Sequence, residues 1–263
     1  KNLREYSPPK PRYGFTTHIQ TYQTCPRRYH YFYEHRFVPS HQVDGLFGQL
    51  VHQTIERLHH QAREGTIDYA NEESVRKVFD KTCKQLARQA TRPLTSSEQE
   101  QALSQVLNYY QQNQSEMQHV WSAEFPVQVD HEQYILRGKV DLLLEGEKGL
   151  EVVDFKTYAR PEKDSVNLAM YQQQLYFYAY ALHKHTGRFP ERLWLYWTAE
   201  VKKEHALMEV TCSEDTIKQS VASVDELILK IQNQQFEVRT PPRAEVCKLC
   251  DLRRLCKREG VIE

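Results

Sequence analysis

The sequence predicts an α/β fold, a mixed central sheet flanked by helices, with a helical insertion near the front and a cysteine-clamped end. Three observations carry this expectation. Apolar residues recur at helical spacing through the first half, the pattern changes to period two between Trp121 and Thr157, and Cys247, Cys250 and Cys256 crowd into ten positions near the end.

Residues 1–14 hold Pro8, Pro9 and Pro11 without periodicity and read as an extended arm. Thr16 or Thr17 caps a short helix through Thr24, and Pro26 suits the first turn of the next, which carries Arg27 to Glu34. Phe47, Leu50, Val51, Ile55 and Leu58 mark the apolar face of a helix from Phe47 to Arg63, stopped by Gly65. Helices over 72–90 and 97–118 follow, separated by Pro93. From Trp121 to Thr157 a meander of three strands is expected, its last two joined by the polar turn Glu145–Gly149. In the middle strand Tyr134, Leu136, Gly138, Val140, Leu142 and Leu144 should share one face, and Arg137, Lys139 and Asp141 the other. In the third, Leu150, Val152, Asp154 and Lys156 share a face. A helix over 165–185, strands near 192–199 and 206–211, a helix over 213–234 and a cysteine-rich tail complete the order. We read 1–263 as one domain in three parts: a mostly helical 15–120, a core of sheet and helix over 121–211, and a helix with its tail over 212–263.

At 263 residues the chain is long enough for one large domain or two small ones. It is 40% hydrophobic and 27% charged, as in globular proteins, with no apolar run near the ~18 residues of a membrane span and no signal-peptide pattern. A cytoplasmic protein is expected, and its start at Lys1 rather than Met suits a segment of a longer polypeptide. The net charge of zero gives no global pull toward nucleic acid, but its distribution is uneven. Seven Lys and Arg between Lys1 and Arg36 face only Glu5 and Glu34, and seven between Arg239 and Arg258 face only Glu245 and Asp251. If the ends meet, Arg27, Arg28, Arg253 and Arg254 contribute to one positive patch for DNA phosphates; otherwise each run is a solvated surface.

Asp141 ends a strand, and Asp154 and Lys156 lie two residues apart on the next, so an antiparallel hairpin brings the carboxylates together. Two converging carboxylates repel unless a cation lies between them, and Mg²⁺ or Mn²⁺ is the natural occupant. Such an ion with an ammonium beside it suits hydrolysis of a phosphodiester. An isolated D-x-K pair is more often part of an exposed hairpin. Here it follows Leu150–Val153, so it reads as the end of a buried strand.

Gly138-x-x-Asp141, Asp154-x-Lys156, Gln174-x-x-x-Tyr178 and an upstream Gly48-x-x-x-His52 together resemble the RecB-like branch of the PD-(D/E)xK nucleases over nearly the whole chain. The resemblance implies that His52, Asp141, Asp154 and the Phe155 backbone carbonyl bind the metal, that Lys156 is catalytic, and that Gln174 and Tyr178 support the lysine or the DNA. Gln172 and Tyr176 have the same spacing on another helical face; the resemblance favours the Gln174 pair, since Leu175 follows it as in the family pattern. The missing side chain of Gly48 should let its helix approach the sheet closely. Glu124 is a further acidic candidate, with a solvated role as its alternative.

Three thiols in ten positions suit a metal or cluster, and spacing alone leaves zinc and iron–sulfur open. The arrangement resembles the iron–sulfur nucleases of the AddB type, where one cysteine before the core and three after it hold a [4Fe–4S] cluster. The resemblance implies Cys25, Cys247, Cys250 and Cys256 as its ligands, clamping the chain ends. Cys83 and Cys212 default to buried structural residues.

The combined expectation is a metal-dependent deoxyribonuclease acting on single-stranded or free-ended DNA in repair or recombination, an exonuclease ahead of an endonuclease. By resemblance its partner beyond DNA is a UvrD-like helicase domain or subunit. No Walker A pattern occurs, so ATP use would belong to that partner. Neither a membrane nor a small-molecule substrate is expected. The rival from another class is a noncatalytic DNA-binding module on a metal-clamped fold.

Overall fold

One six-stranded sheet separates two layers of helices in the computed structural model, which describes residues 9–39, 43–66, 71–90, 92–211, 213–239, 242, 244–248 and 250–262. Lys1, Arg4, Glu5, Pro8, Cys212 and Arg243 of the preceding readings lie outside the described residues. The chain enters through β1 (Arg12–Gly14), a π-helical turn at Phe15–Ile19, α1 (Gln20–Thr24) and α2 (Pro26–Tyr29), which runs into a second π-helical turn at His30–Glu34. The helical insertion is α3 (Val43–Arg63), α4 (Glu72–Ala87) and α5 (Ser96–Asn113), followed by a 3-10 turn at Gln114–His119. The core follows as β2 (Val120–Asp130), β3 (Ile135–Glu145), β4 (Leu150–Lys156), α6 (Val166–Thr186), β5 (Arg192–Trp197), α7 (Lys203–Ala206) and β6 (Leu207–Glu209). Helices α8 (Glu214–Gln232), α9 (Ala244–Lys248) and α10 (Arg253–Arg258) close it.

Local chemistry explains the ends of these elements. At the start of α5, Thr95 accepts the Glu98 N–H at 3.3 Å while the Glu98 carboxylate accepts the Thr95 N–H at 2.6 Å, a reciprocal cap. Ser165 caps α6 by accepting the Asn167 N–H, and Gly187, with φ of 76°, ends it in the left-handed conformation. The arm differs from expectation. Its residues Arg12–Gly14 form a parallel strand on β3, Tyr13 opposite Leu136. Three residues are too few to show an alternation.

Helices α6 and α8 cover one face of the sheet through Leu175, Phe177, Val224 and Ile228 against Val127, Leu136, Val140 and Val152. The insertion covers the other, with Leu50, Val51, Ile55 and Leu58 of α3 against Leu142, Val153 and Phe155. Burying each such aliphatic side chain contributes about 1.5–3 kcal/mol, so the stripe read from the sequence holds α3 by packing. Among the described residues no helix is long and apolar enough to cross a membrane.

Strand β3 organises the site. β2 pairs along one of its edges, while the other takes β1 at Ile135–Arg137 and β4 at Leu142–Glu145. Between them, residues 138–141 have no ladder partner on that edge among the described residues. The expected single apolar face of β3 does not occur. Leu136 and Val140 face α6, whereas Leu142 and Leu144 face the insertion, so the pleat reverses at Asp141. β2 reverses with it, Phe125 packing toward α6 and Ala123 toward the insertion. At the turning point, Glu124 has φ of 53°, a left-handed conformation that interrupts regular alternation.

Gly138 is where α6 comes down onto β3. A Cβ there would lie 2.7 Å from Tyr178 Cε1 and 2.8 Å from Phe177 Cε1, closer than packed side chains approach. Gly138→Ala should therefore destabilise the fold by about 1–3 kcal/mol, as is typical of overpacking, seen as a lower melting temperature, and lift Gln174 off the strands. An unchanged melting curve would refute the close-approach reading. The same reading of Gly48 is corrected: a Cβ there would meet Thr157 Oγ1 at 3.6 Å, an ordinary contact, so packing does not demand a glycine.

Candidate active site

Strands β3 and β4 pair from Glu145↔Leu150 to Leu142↔Val153 and then part. At the fork the Asp141 carboxylate replaces the lost ladder partner, its Oδ2 accepting the Phe155 N–H at 2.7 Å. Its Oδ1 lies 3.3 Å from Nδ1 of His52, which α3 carries in from the opposite layer. Phe155 thus enters the site through its backbone while its ring packs among the insertion residues. Asp154, 1% exposed, points to the other face of β4. There the Gln174 amide donates to its Oδ1 at 2.8 Å, and Lys156 Nζ lies 2.6 Å from its Oδ2. The Lys156 ammonium is thus the cation that faces Oδ2, a buried oxygen with no further partner among the described residues.

Helix α6 supplies the second half. Gln174 and Tyr178 are the i, i+4 pair that faces the fork, joined by Gln174 Nε2 donating to the Tyr178 hydroxyl at 2.7 Å. Gln174 Oε1 accepts from Lys156 Nζ at 3.0 Å. Two participants escaped the sequence reading. The Tyr171 ring lies 4.5 Å from Lys156 Nζ, where its π face attracts the ammonium, and Gln20 of α1 donates to Gln174 Oε1 at 3.2 Å. Tyr171 stands three residues before Gln174 on the same helix, a spacing that could have flagged it. Glu124 is turned to Lys139, with which it forms an ion pair.

Burial and charge divide the carboxylates. Burial pushes the Asp154 carboxyl up to about 6, against the pull of the Lys156 ammonium and with help from the Asp141 charge. Burial acts upward on Asp141 as well, but His52 beside it, with the Lys156 ammonium and the Phe155 N–H, outweighs this and holds it below the ordinary range. His52 is raised in turn, because Asp141 outweighs its desolvation.

Two carboxylates, an imidazole and a backbone carbonyl suit a hard divalent cation in kind, and the buried Asp154 Oδ2, faced by the Lys156 ammonium and by no further partner among the described residues, is the atom such a cation would share. The set is not drawn together in advance: among the described residues, no three or more His, Cys, Asp or Glu side chains form a ready metal cage. The His52–Asp141 contact would have to open to admit an ion.

The segment that follows α1 meets the cysteine-rich tail. Cys25, Cys247, Cys250 and Cys256 line one cavity together with Arg27, Arg28 and Arg253. The Arg28 N–H points to Cys25 Sγ at 3.4 Å. Burial raises the Cys25, Cys247 and Cys256 thiols above their ordinary value, so metal loading there would release protons. Arg27 is ion-paired with Glu259 and Arg28 lies over the Phe32 ring, which leaves Arg253 and Arg254 as the exposed pair among the four arginines. Cys83 is half-buried against the insertion.

The family profile described as the PD-(D/E)XK nuclease superfamily matches residues 16–257. No curated protein matches the chain. Among solved structures the chain is similar to a Eubacterium rectale protein designated an exonuclease by name alone, with a TM-score of 0.56 and 15% identity over 92% of this chain and 86% of that one. At that identity the likeness shows the fold. A structure named SSO0001, at TM-score 0.43 and 14% identity over 96% of this chain and 89% of that one, is too distant to carry an argument.

Proposed function

The chain belongs to the PD-(D/E)XK nuclease superfamily, and from this we propose that it is a metal-dependent deoxyribonuclease acting on single-stranded or free-ended DNA. One observation supports this most: an ammonium, on a side chain only 13% exposed, held between the buried Asp154 carboxylate, Gln174 and Tyr171. A module that only bound DNA would gain nothing from burying these charges together.

In this reading Asp141, Asp154, His52 and the Phe155 carbonyl hold Mg²⁺ or Mn²⁺. Such an ion, when bound, would supply positive charge against the scissile phosphate and lower the pKa of a water molecule. Lys156 orients that water and stabilises the negative charge that develops on the phosphoryl oxygens. Gln174 holds Lys156 and Asp154 at a fixed separation, since its two ends bind one each. Tyr178 fixes the amide, and its seat on Gly138 fixes the height of α6. Exposed Arg253 and Arg254 contact backbone phosphates.

The four cysteines, which share a cavity but like the aspartate site form no ready cage among the described residues, would close on a [4Fe–4S] cluster in a structural role, a reading supported by their spacing. A UvrD-like helicase domain or subunit feeds the site with free-ended strands in repair or recombination.

The test is labelled linear DNA with Mg²⁺ or Mn²⁺, comparing the wild-type chain with Asp154→Ala. Cleavage that falls by about 10³-fold or more in the variant is expected, as for loss of a group central to charge stabilisation. DNA binding without cleavage by the wild type would instead show a noncatalytic module. Cutting of circular single strands would replace the exonuclease reading with an endonuclease.

A further inference from the structure

We infer that Gln20 is a positioning residue of this centre: it sets the Gln174 amide and through it the separation of Asp154 and Lys156. The inference rests on the hydrolytic reading above. Gln174 is 3% exposed, and all four of its hydrogen-bonding positions are used. Nε2 donates to Asp154 Oδ1 and the Tyr178 hydroxyl; Oε1 accepts from Lys156 Nζ and from Gln20 Nε2. Asp154, Lys156 and Tyr178 are themselves groups whose places must be fixed. Among the described residues Gln20 is the hydrogen-bond partner of Gln174 that comes from outside this set.

Helix α1 is a firm reference point. Gln23 donates to Gln173 Oε1 at 2.6 Å, so α1 and α6 are joined by two glutamine pairs in successive positions. Tyr22 donates to the Gln235 carbonyl at 2.5 Å, tying α1 to the end of α8, and Thr24 donates to the Gln20 carbonyl at 2.7 Å. Without the Gln20 donor, one lone pair of Oε1 loses its partner in a buried site. The amide is then free to follow the ammonium, and Nε2 swings off Asp154. The position of α1 also depends on the next residue in the chain, Cys25, so Gln20 links the cysteine end of the molecule to Lys156.

The experiment uses the full chain with Gln20→Met, similar in length but without a donor, and Gln20→Glu, nearly isosteric and an acceptor facing an acceptor. Each is also made on a Gln174→Met background. For Gln20→Met, kcat should fall about 10-fold to 100-fold, the scale of a small misplacement of reacting groups, with KM within twofold. Gln20→Glu should fall at least as far. On the Gln174→Met background neither change should lower kcat further. Wild-type kcat in Gln20→Met, or a loss of the same size on both backgrounds, would overturn the inference. If the wild-type chain cleaves no DNA, the hydrolytic reading fails, and the melting temperatures of the same proteins decide the coupling. Additive losses then overturn it, and losses that do not add support it.

Discussion

Lys156→Met is expected to reduce DNA cleavage by about 10²–10³-fold, the usual cost of removing a preorganised charge from a reacting centre, while the protein stays folded. The ammonium is the group that opposes burial at Asp154, whose carboxyl is raised from 3.8 to about 6. Taking it away leaves burial and the Asp141 charge opposed by His52, the weaker of the two cations, and drives Asp154 further up, toward the neutral acid. The sign for stability follows. A raised carboxyl means that the folded chain holds a proton which the unfolded chain releases. The stabilisation is therefore complete below the ordinary carboxylate range and is lost as pH rises through about 6. In Lys156→Met that loss should extend to higher pH. Initial rates on linear DNA and melting curves from pH 4 to 9 check both parts. Cleavage within threefold of wild type would remove Lys156 from the chemistry.

Cys250→Ala is expected to have the largest effect on stability, lowering the melting temperature by about 10–20 °C and emptying the cysteine site. A clamp from Cys25 to Cys250 closes most of the chain into a loop; a cross-link of that length restricts the unfolded chain by about 5 kcal/mol, and each kcal/mol is about 2–4 °C for a domain of this size. Protein purified without oxygen should be brown and contain iron and acid-labile sulfide, and Cys250→Ala should contain neither. Colourless wild type with stoichiometric zinc would replace the cluster with zinc. Wild type holding no metal would remove the clamp altogether.

The sequence revealed the site unevenly, for physical reasons. Asp154 and Lys156 were legible because the strand period puts them on one face, whereas the helix period left Gln174 and Tyr178 level with Gln172 and Tyr176, and the family resemblance favoured the first pair. Asp141 was legible as a partner of Asp154 through its hairpin, but its actual setting was not. The reversal of the pleat depends on a left-handed backbone at Glu124, and glutamate carries no local sign of that conformation. Gln20 meets Gln174 across 154 residues, a contact that no local pattern encodes. The arm was read as unpaired because Arg12–Gly14 gains its partner only from β3. Arg27 and Arg28 were read as free cations, yet Arg27 has Glu259, 232 residues away, and Arg28 has the Phe32 ring.

Strand β1 adds to β3 across more than a hundred residues, and Lys10 seals the same junction by bonding Asp130, 120 positions later. Contacts so distant along the chain form late, since the whole intervening polypeptide has to be ordered first. A ribosome adding about 5–20 residues per second exposes the front arm many seconds before its docking strand exists. Helix α1, carried on that arm, waits with it. The arm precedes every other part of the site, so the brace waits for Asp141, Asp154 and Gln174 to be added in turn. A chain that stops before α6 would present the aspartates with no Gln174 for Gln20 to hold, a form of quality control set by the order of translation.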